Sequence, residues 1–251
     1  GLQQVEIFKG ASGAIFGPAA VGGAVNFITD IDYENALSFS VSERLDRNNS
    51  IHGNYTHVTE DGWHLNFKGG SSQSETISSS PDNTELDGTK NLSLSYNVKK
   101  FLNDNLKIKS TGYVRKTDSG YDVSTDQESE ATNIMYAFQT GIEQKKNNKE
   151  DSFMTHLHVY DRVYDEDVKN KYYSQELTFK GQRKVNISDK LSYGFGSDYT
   201  YSKGDFQING TYGSSAKGHS DNFGAFSNIG YKFNETTTLS AYGRGDSHKY
   251  S

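Results

Sequence analysis

Two histidines, His156 and His158, have the spacing in this sequence that best suits a metal ion. On a strand, residues two apart share a face, so both imidazoles would point the same way, with Met154 and Tyr160 beside them. The simpler reading is a polar strand face, because Leu157 and Val159 take the opposite side. Other histidines, such as His64 and His219, lack ligand spacing. Asp165-Glu166-Asp167 is an acidic run of the kind that solvent normally covers. No GxSxG, HExxH, P-loop or dinucleotide fingerprint is present. Gly22-Gly23 lacks the Lys-Ser/Thr ending that a phosphate loop needs. No Ser/His/acid set assembles on one predicted face, so the expectation is a protein that is not an enzyme.

The elements that carry these residues alternate apolar and polar. Leu37, Phe39 and Val41 are separated by Ser38 and Ser40. Trp63, Leu65 and Phe67 repeat the pattern, as do Leu92, Leu94, Tyr96 and Val98. It returns at Ile134–Ile142, Phe153–Val159, Tyr173–Phe179, Leu191–Tyr201, Phe223–Phe233 and Leu239–Ala241. Period two is the strand signal. With weaker stretches near Ile51–Val58 and Leu106–Arg115, about eleven strands follow Ala36, more than an open sheet usually holds. Composition agrees. Hydrophobic residues make up 33% of the 251 and aromatics 13%, while mean hydropathy is −0.79. Disordered chains are polar but lack the aromatics. A membrane barrel reconciles the two, since every second residue faces lipid and the others face a wet lumen. No apolar run is long enough for a transmembrane helix, which does not count against a barrel. Cysteine is absent, excluding disulfides and thiolate metal sites. A net charge of −6 without a basic stripe argues against nucleic acid as a partner.

The connections alternate in length. Short ones are expected at 60–62, 103–105, 145–150, 186–190 and 234–235. Long loops are expected at 73–90, 117–131, 164–171 and 202–220, and only the first connection, at 46–49, breaks the alternation. Outer-membrane barrels have short periplasmic turns and long extracellular loops. The fold class is therefore all-β, an antiparallel transmembrane β-barrel in the bacterial outer membrane. Trp63, Tyr96, Tyr193 and Tyr231 are candidates for its interfacial aromatic girdle.

The first thirty residues read differently. Val5–Phe8 and Ala24–Thr29 are strand-like, with a small-residue stretch and glycine punctuation between them. VEIFKGASGAIFGPAAVGGAVNFIT resembles the closing segment of the plug domain of TonB-dependent outer-membrane receptors. Glu6, Gly10, Gly17, Gly22, Gly23, Asn26 and Thr29 fall where that motif has them. Lys9 replaces the usual Arg and Ala11 the usual Pro. The resemblance implies a plug end over 1–32 and the N-terminal half of the barrel over 33–251, about eleven of 22 strands. It implies a first strand running outward, which makes the long connections extracellular. It also implies a TonB partner acting through a box upstream of this chain, with lipid around the wall.

For ligand, Pro81-Asp82-Asn83, Asp87-Gly88 and Gly120-Tyr121-Asp122 resemble loops of the cobalamin (vitamin B12) receptor branch. That resemblance implies calcium as a possible cofactor, with Asp82, Asp87 and Asp122 as ligands and Asp118 and Asp126 nearby, since hard cations take several carboxylate oxygens. The same residue types are also ordinary turn formers. Tyr121 and Phe206 are expected on exposed loops, where they can stack on a ligand. The expected function is TonB-driven import of cobalamin. A ferric siderophore or haem receptor is the alternative, and an outer-membrane barrel enzyme or adhesin a more distant one.

Overall fold

The computed structural model describes residues 2–9, 23–29, 34–44, 48–77, 86–124, 127–166, 168–210 and 213–251. Within them lie thirteen strands in two sheets. β1 (Leu2–Lys9) and β2 (Gly23–Thr29) form an antiparallel pair in which Glu6 lies opposite Asn26 and Leu2 opposite Thr29. The small-residue stretch between β1 and β2, and Gly10, Gly17 and Gly22, lie outside the described residues.

The second sheet holds β3 (Ala36–Glu43), β4 (Asn49–Val58), β5 (Trp63–Ile77), β6 (Leu86–Asn103), β7 (Leu106–Ser124) and β8 (Gln127–Lys146). It continues with β9 (Lys149–Asp165), β10 (Lys169–Asn186), β11 (Leu191–Ile208), β12 (Ser214–Lys232) and β13 (Thr238–Tyr250). Every strand pairs antiparallel with its neighbours in sequence, an eleven-stranded meander. Eleven strands is what the alternation predicts.

Register explains the alternation. Directly opposed residues share a face. One row runs Leu37, Tyr55, Phe67, Tyr96, Gly112, Phe138, Leu157, Leu177, Tyr201 across nine strands. The row on the opposite face runs Ser38, Asn54, Lys68, Ser95, Tyr113, Ala137, His158, Glu176, Ser202. A one-residue slip anywhere would exchange the faces. The apolar face carries its large side chains exposed, among them Leu37, Phe39, Leu94, Phe153 and Phe223. A soluble sheet would hide such a face. The band has edges. On β12 it runs from Phe223 to Tyr231, and Lys217, His219 and Asp221 precede it on the same face.

Two expectations need correction. The long connections are mostly ladder: β7 runs to Ser124 and β8 begins at Gln127, and β11 runs to Ile208. Past the apolar band both faces turn polar, so hydrophobic period two fades while backbone pairing, which needs no apolar side chain, continues. Tyr121 and Phe206 therefore sit in strands and are half-buried. Asp87 and Asp122 are also in strands, β6 and β7. The second correction concerns Tyr96. It is no girdle residue: its ring lies across Gly112 within the band, and its hydroxyl is 3.1 Å from Ser110 Oγ. Trp63, Tyr193 and Tyr231 do sit at the short-turn ends of their strands, where Lys100 Nζ lies 5.0 Å above the Trp63 ring.

On the polar face an ion network spans four strands. Arg244 on β13 crosses β12 to donate two 2.7 Å hydrogen bonds to Asp198 on β11. Its Nε donates to Asp246 at 2.9 Å. The crossing needs Gly224, where a Cβ would come within 2.0 Å of the guanidinium. The Arg244 side chain is 5% exposed and Asp198 10%. Lys180 on β10 and Arg244 flank the Phe226 ring at 5.0 and 5.8 Å. Two cations meet two carboxylates, so the network is closed in charge.

Candidate functional site

The polar face beyond the apolar band carries an aromatic ladder. Tyr121 on β7 meets Tyr164 on β9 edge-on at 6.1 Å, Tyr164 meets Tyr172 on β10 at 5.4 Å, and Tyr172 meets Phe206 on β11 at 4.6 Å. Edge-to-face geometry at these separations is the favourable one for aromatic pairs. The register produces it: Tyr172 is directly opposite Phe206, and small residues on β8, Ser129 and Ala131, let Tyr121 reach across to Tyr164. Ala131 is consequently only 2% exposed. The ladder unites the two aromatic candidates, Tyr121 and Phe206, through two rings, Tyr164 and Tyr172, that the sequence reading missed. Extending the period-two parity of Met154–Tyr160 by four residues would have found Arg162 and Tyr164.

Arg162 puts a cation in this surface. Its guanidinium carbon lies 4.2 Å from the Tyr164 ring centroid, close enough for a cation–π contact. It is directly opposite Tyr172, and its Nε is buried without a hydrogen-bond partner. At the far end Tyr121 donates a 2.6 Å hydrogen bond to Glu166. The acidic run at 165–167 is thus only partly solvated charge, since Asp165 also pairs with Lys169 at 2.9 Å. Burial and the Glu166 carboxylate push the Tyr121 phenol well above the ordinary tyrosine range. A raised folded-state value favours the protonated form, so the contact is complete below pH about 10 and is lost only as pH rises beyond it. Spectrophotometric titrations of wild type and Tyr121→Phe should therefore superimpose up to about pH 11. A difference near pH 10 would show an ordinary phenol.

The other candidates are less well gathered. Asp82 lies outside the described residues. Asp87 pairs with Thr76 in the β5–β6 ladder and Asp122 with Glu128 in the β7–β8 ladder. Asp118 is held by Lys116 at 2.8 Å and by the Thr132 hydroxyl at 2.7 Å. Burial opposes its ionisation, but those two contacts outweigh it and leave the carboxyl below its usual range. His156 and His158 lie on the polar face, opposite Gln139 and Ala137 on one side and Thr178 and Glu176 on the other. Gln139 Nε2 donates to Met154 Sδ at 3.2 Å. Among the described residues, no group of three or more His, Asp or Glu is arranged to hold a metal. A half-buried aromatic surface with an embedded guanidinium suits stacking on a planar or aromatic ligand that bears negative charge.

No protein-family model matches the sequence, and no curated protein matches it. Solved structures do match the fold. The siderophore receptor PiuA from Acinetobacter baumannii aligns over 99% of this chain and 51% of its own, at 13% identity and a TM-score of 0.64. The copper transporter OprC aligns over 99% and 42%, at 13% identity and a TM-score of 0.77. The ferripyoverdine receptor of the outer membrane of Pseudomonas aeruginosa, bound to ferripyoverdine, aligns over 100% and 42%, at 12% identity and a TM-score of 0.76. The chain thus spans about half the length of these structures or less. At such identities the likeness is one of fold, and that fold is a portion of the barrel of TonB-dependent outer-membrane receptors.

Proposed function

We propose that this chain is the wall and part of the ligand-facing rim of an outer-membrane receptor that binds a scarce nutrient outside the cell and imports it with energy from TonB. On this reading the apolar band faces lipid, the polar face lines the lumen, and the protein is a transporter rather than an enzyme. The observation that carries it is the ladder from Tyr121 to Phe206 with Arg162 on it, on the lumen face beyond the band. An aromatic surface with a cation fits a ferric siderophore, whose iron-binding groups are anionic and often aromatic. Similar folds belong to a siderophore receptor and a ferripyoverdine receptor, which supports the same class.

Cobalamin, the ligand suggested by the 81–83, 87–88 and 120–122 segments, is the second reading. Calcium held by Asp82, Asp87 and Asp122 would belong with it, supplying positive charge to order the rim. The test is direct binding to the intact receptor by calorimetry. The ligands are a ferric catecholate siderophore, ferripyoverdine and cyanocobalamin, each with and without calcium. The expected result is binding of at least one ferric siderophore, unchanged by calcium, and none of cyanocobalamin. Calcium-dependent cyanocobalamin binding with no siderophore binding would overturn the preference.

A further inference from the structure

The apolar face is not uniformly filled. A groove of about 500 Å³ lies across β3 to β8. Tyr55, Phe67 and Phe138 stand around it, Gly53 forms its open floor, and the Leu94 side chain lies against Gly69, the partner of Gly53 on β5. Nothing lies within 4 Å of where a Gly53 Cβ would sit. In hydrocarbon a groove attracts no ligand by the hydrophobic effect, because lipid tails are as apolar as leucine; packing and a polar anchor must do it. An anchor is in line. On β6 the groove residues Leu94 and Tyr96 lead through Val98 to Lys100 on the same face. Four residues of strand set Lys100 about 13 Å from Tyr96, toward the short turns. Its ammonium donates to the Asp61 carbonyl at 2.6 Å and to Asp61 Oδ2 at 3.0 Å, and Trp63 lies beneath it. An ammonium has three N–H donors, so one remains to meet a phosphate.

We infer that this face holds one glycerophospholipid, with its phosphate at Lys100 and Trp63 and one acyl chain lying over Gly53 beside Leu94. The inference rests on the membrane placement proposed above, and it adds a lipid site distinct from the nutrient site. The chain lies in the leaflet on the short-turn side. The lipid fills a depression that side chains leave open and covers the polar turn at 59–62.

Native mass spectrometry of the intact protein, extracted from membranes in mild detergent, reads the bound lipid. Wild type should retain one phospholipid per protein. Gly53→Phe adds a Cβ that meets nothing within 4 Å and a ring that occupies the groove, and should lower the retained fraction at least tenfold. Lys100→Gln should lower it several-fold. Gly245→Phe, on the same face of β13 and equally open, should leave it unchanged. Equal retention in Gly53→Phe and wild type would overturn the inference. So would a retained adduct with the mass of lipid A, or a protein dimer that Gly53→Phe dissociates. Siderophore binding and recovery in the outer-membrane fraction are scored in parallel. Failure of those defeats the receptor reading, whereas their persistence with no retained lipid defeats this site alone.

Discussion

Arg244→Ala should destabilise the protein by about 3–5 kcal/mol, because it leaves two carboxylates that faced a shielded guanidinium without their counter-ion. Asp198 would retain Lys180 across the ladder, but Asp246 would lose its ion pair with Arg244. The arrangement is geometrically demanding. A bidentate fork across an intervening strand is available to Arg and not to Lys, so Arg244→Lys should recover little. Gly224→Ala should mimic the loss from the other side, since its methyl occupies the space of the guanidinium. The measurement is the urea midpoint of unfolding in micelles or bilayers. A quadruple variant, Arg244→Met with Lys180→Met, Asp198→Leu and Asp246→Leu, removes all four charges together. It should recover most of the loss, as apolar replacements of buried ion pairs often do. A shift below about 1 kcal/mol in Arg244→Ala would mean that water already screens the network.

The second large effect concerns the ladder. Tyr172→Ala should weaken ligand binding by about 2 kcal/mol, roughly 30-fold, because Tyr172 is the ring that touches both Tyr164 and Phe206. Its removal takes away one stacking surface and loosens two others. Arg162→Gln should cost about tenfold for an anionic ligand and leave a neutral one almost unchanged. That difference separates charge recognition from packing. Neither change should alter the unfolding midpoint by more than about 1 kcal/mol, since both residues are half-buried at a rim. Equal losses for charged and neutral ligands in Arg162→Gln would assign that residue to packing alone.

The wall was legible in the sequence because one chemical contrast repeats without interruption. Ser38 and Ser40 between Leu37, Phe39 and Val41 specify two faces, and the paired rows of the sheet confirm them residue by residue. The short turns were legible as short connections, and within the one at 145–150 Asn147 adopts φ 55°, a left-handed conformation that Asn tolerates. The rim was not. From Lys116 to Ser124 the sequence places Asp, Ser, Thr and Gly on both faces, so the pattern that marks a strand has no contrast to show. Tyr121 and Phe206 were recognised as ligand candidates by residue type, while the rings that join them were missed. Their connection depends on register between strands more than forty residues apart in sequence, as the Tyr121–Glu166 bond illustrates. Arg244 and Asp198 share that difficulty, because nothing in either local sequence announces the other.

The strictly sequential strand order has a bearing on how the sheet is made. Each strand needs only its predecessor to be in place, so backbone pairing can advance one hairpin at a time without waiting for a distant partner. The Arg244–Asp198 fork departs from that rule, since it skips a strand. It can close only after β11, β12 and β13 are aligned in the correct register. A slip by one residue would turn the guanidinium to the wrong side and leave the carboxylate exposed. The fork thus acts as a late proofreading contact, one that rewards the right alignment of three strands together rather than of any two.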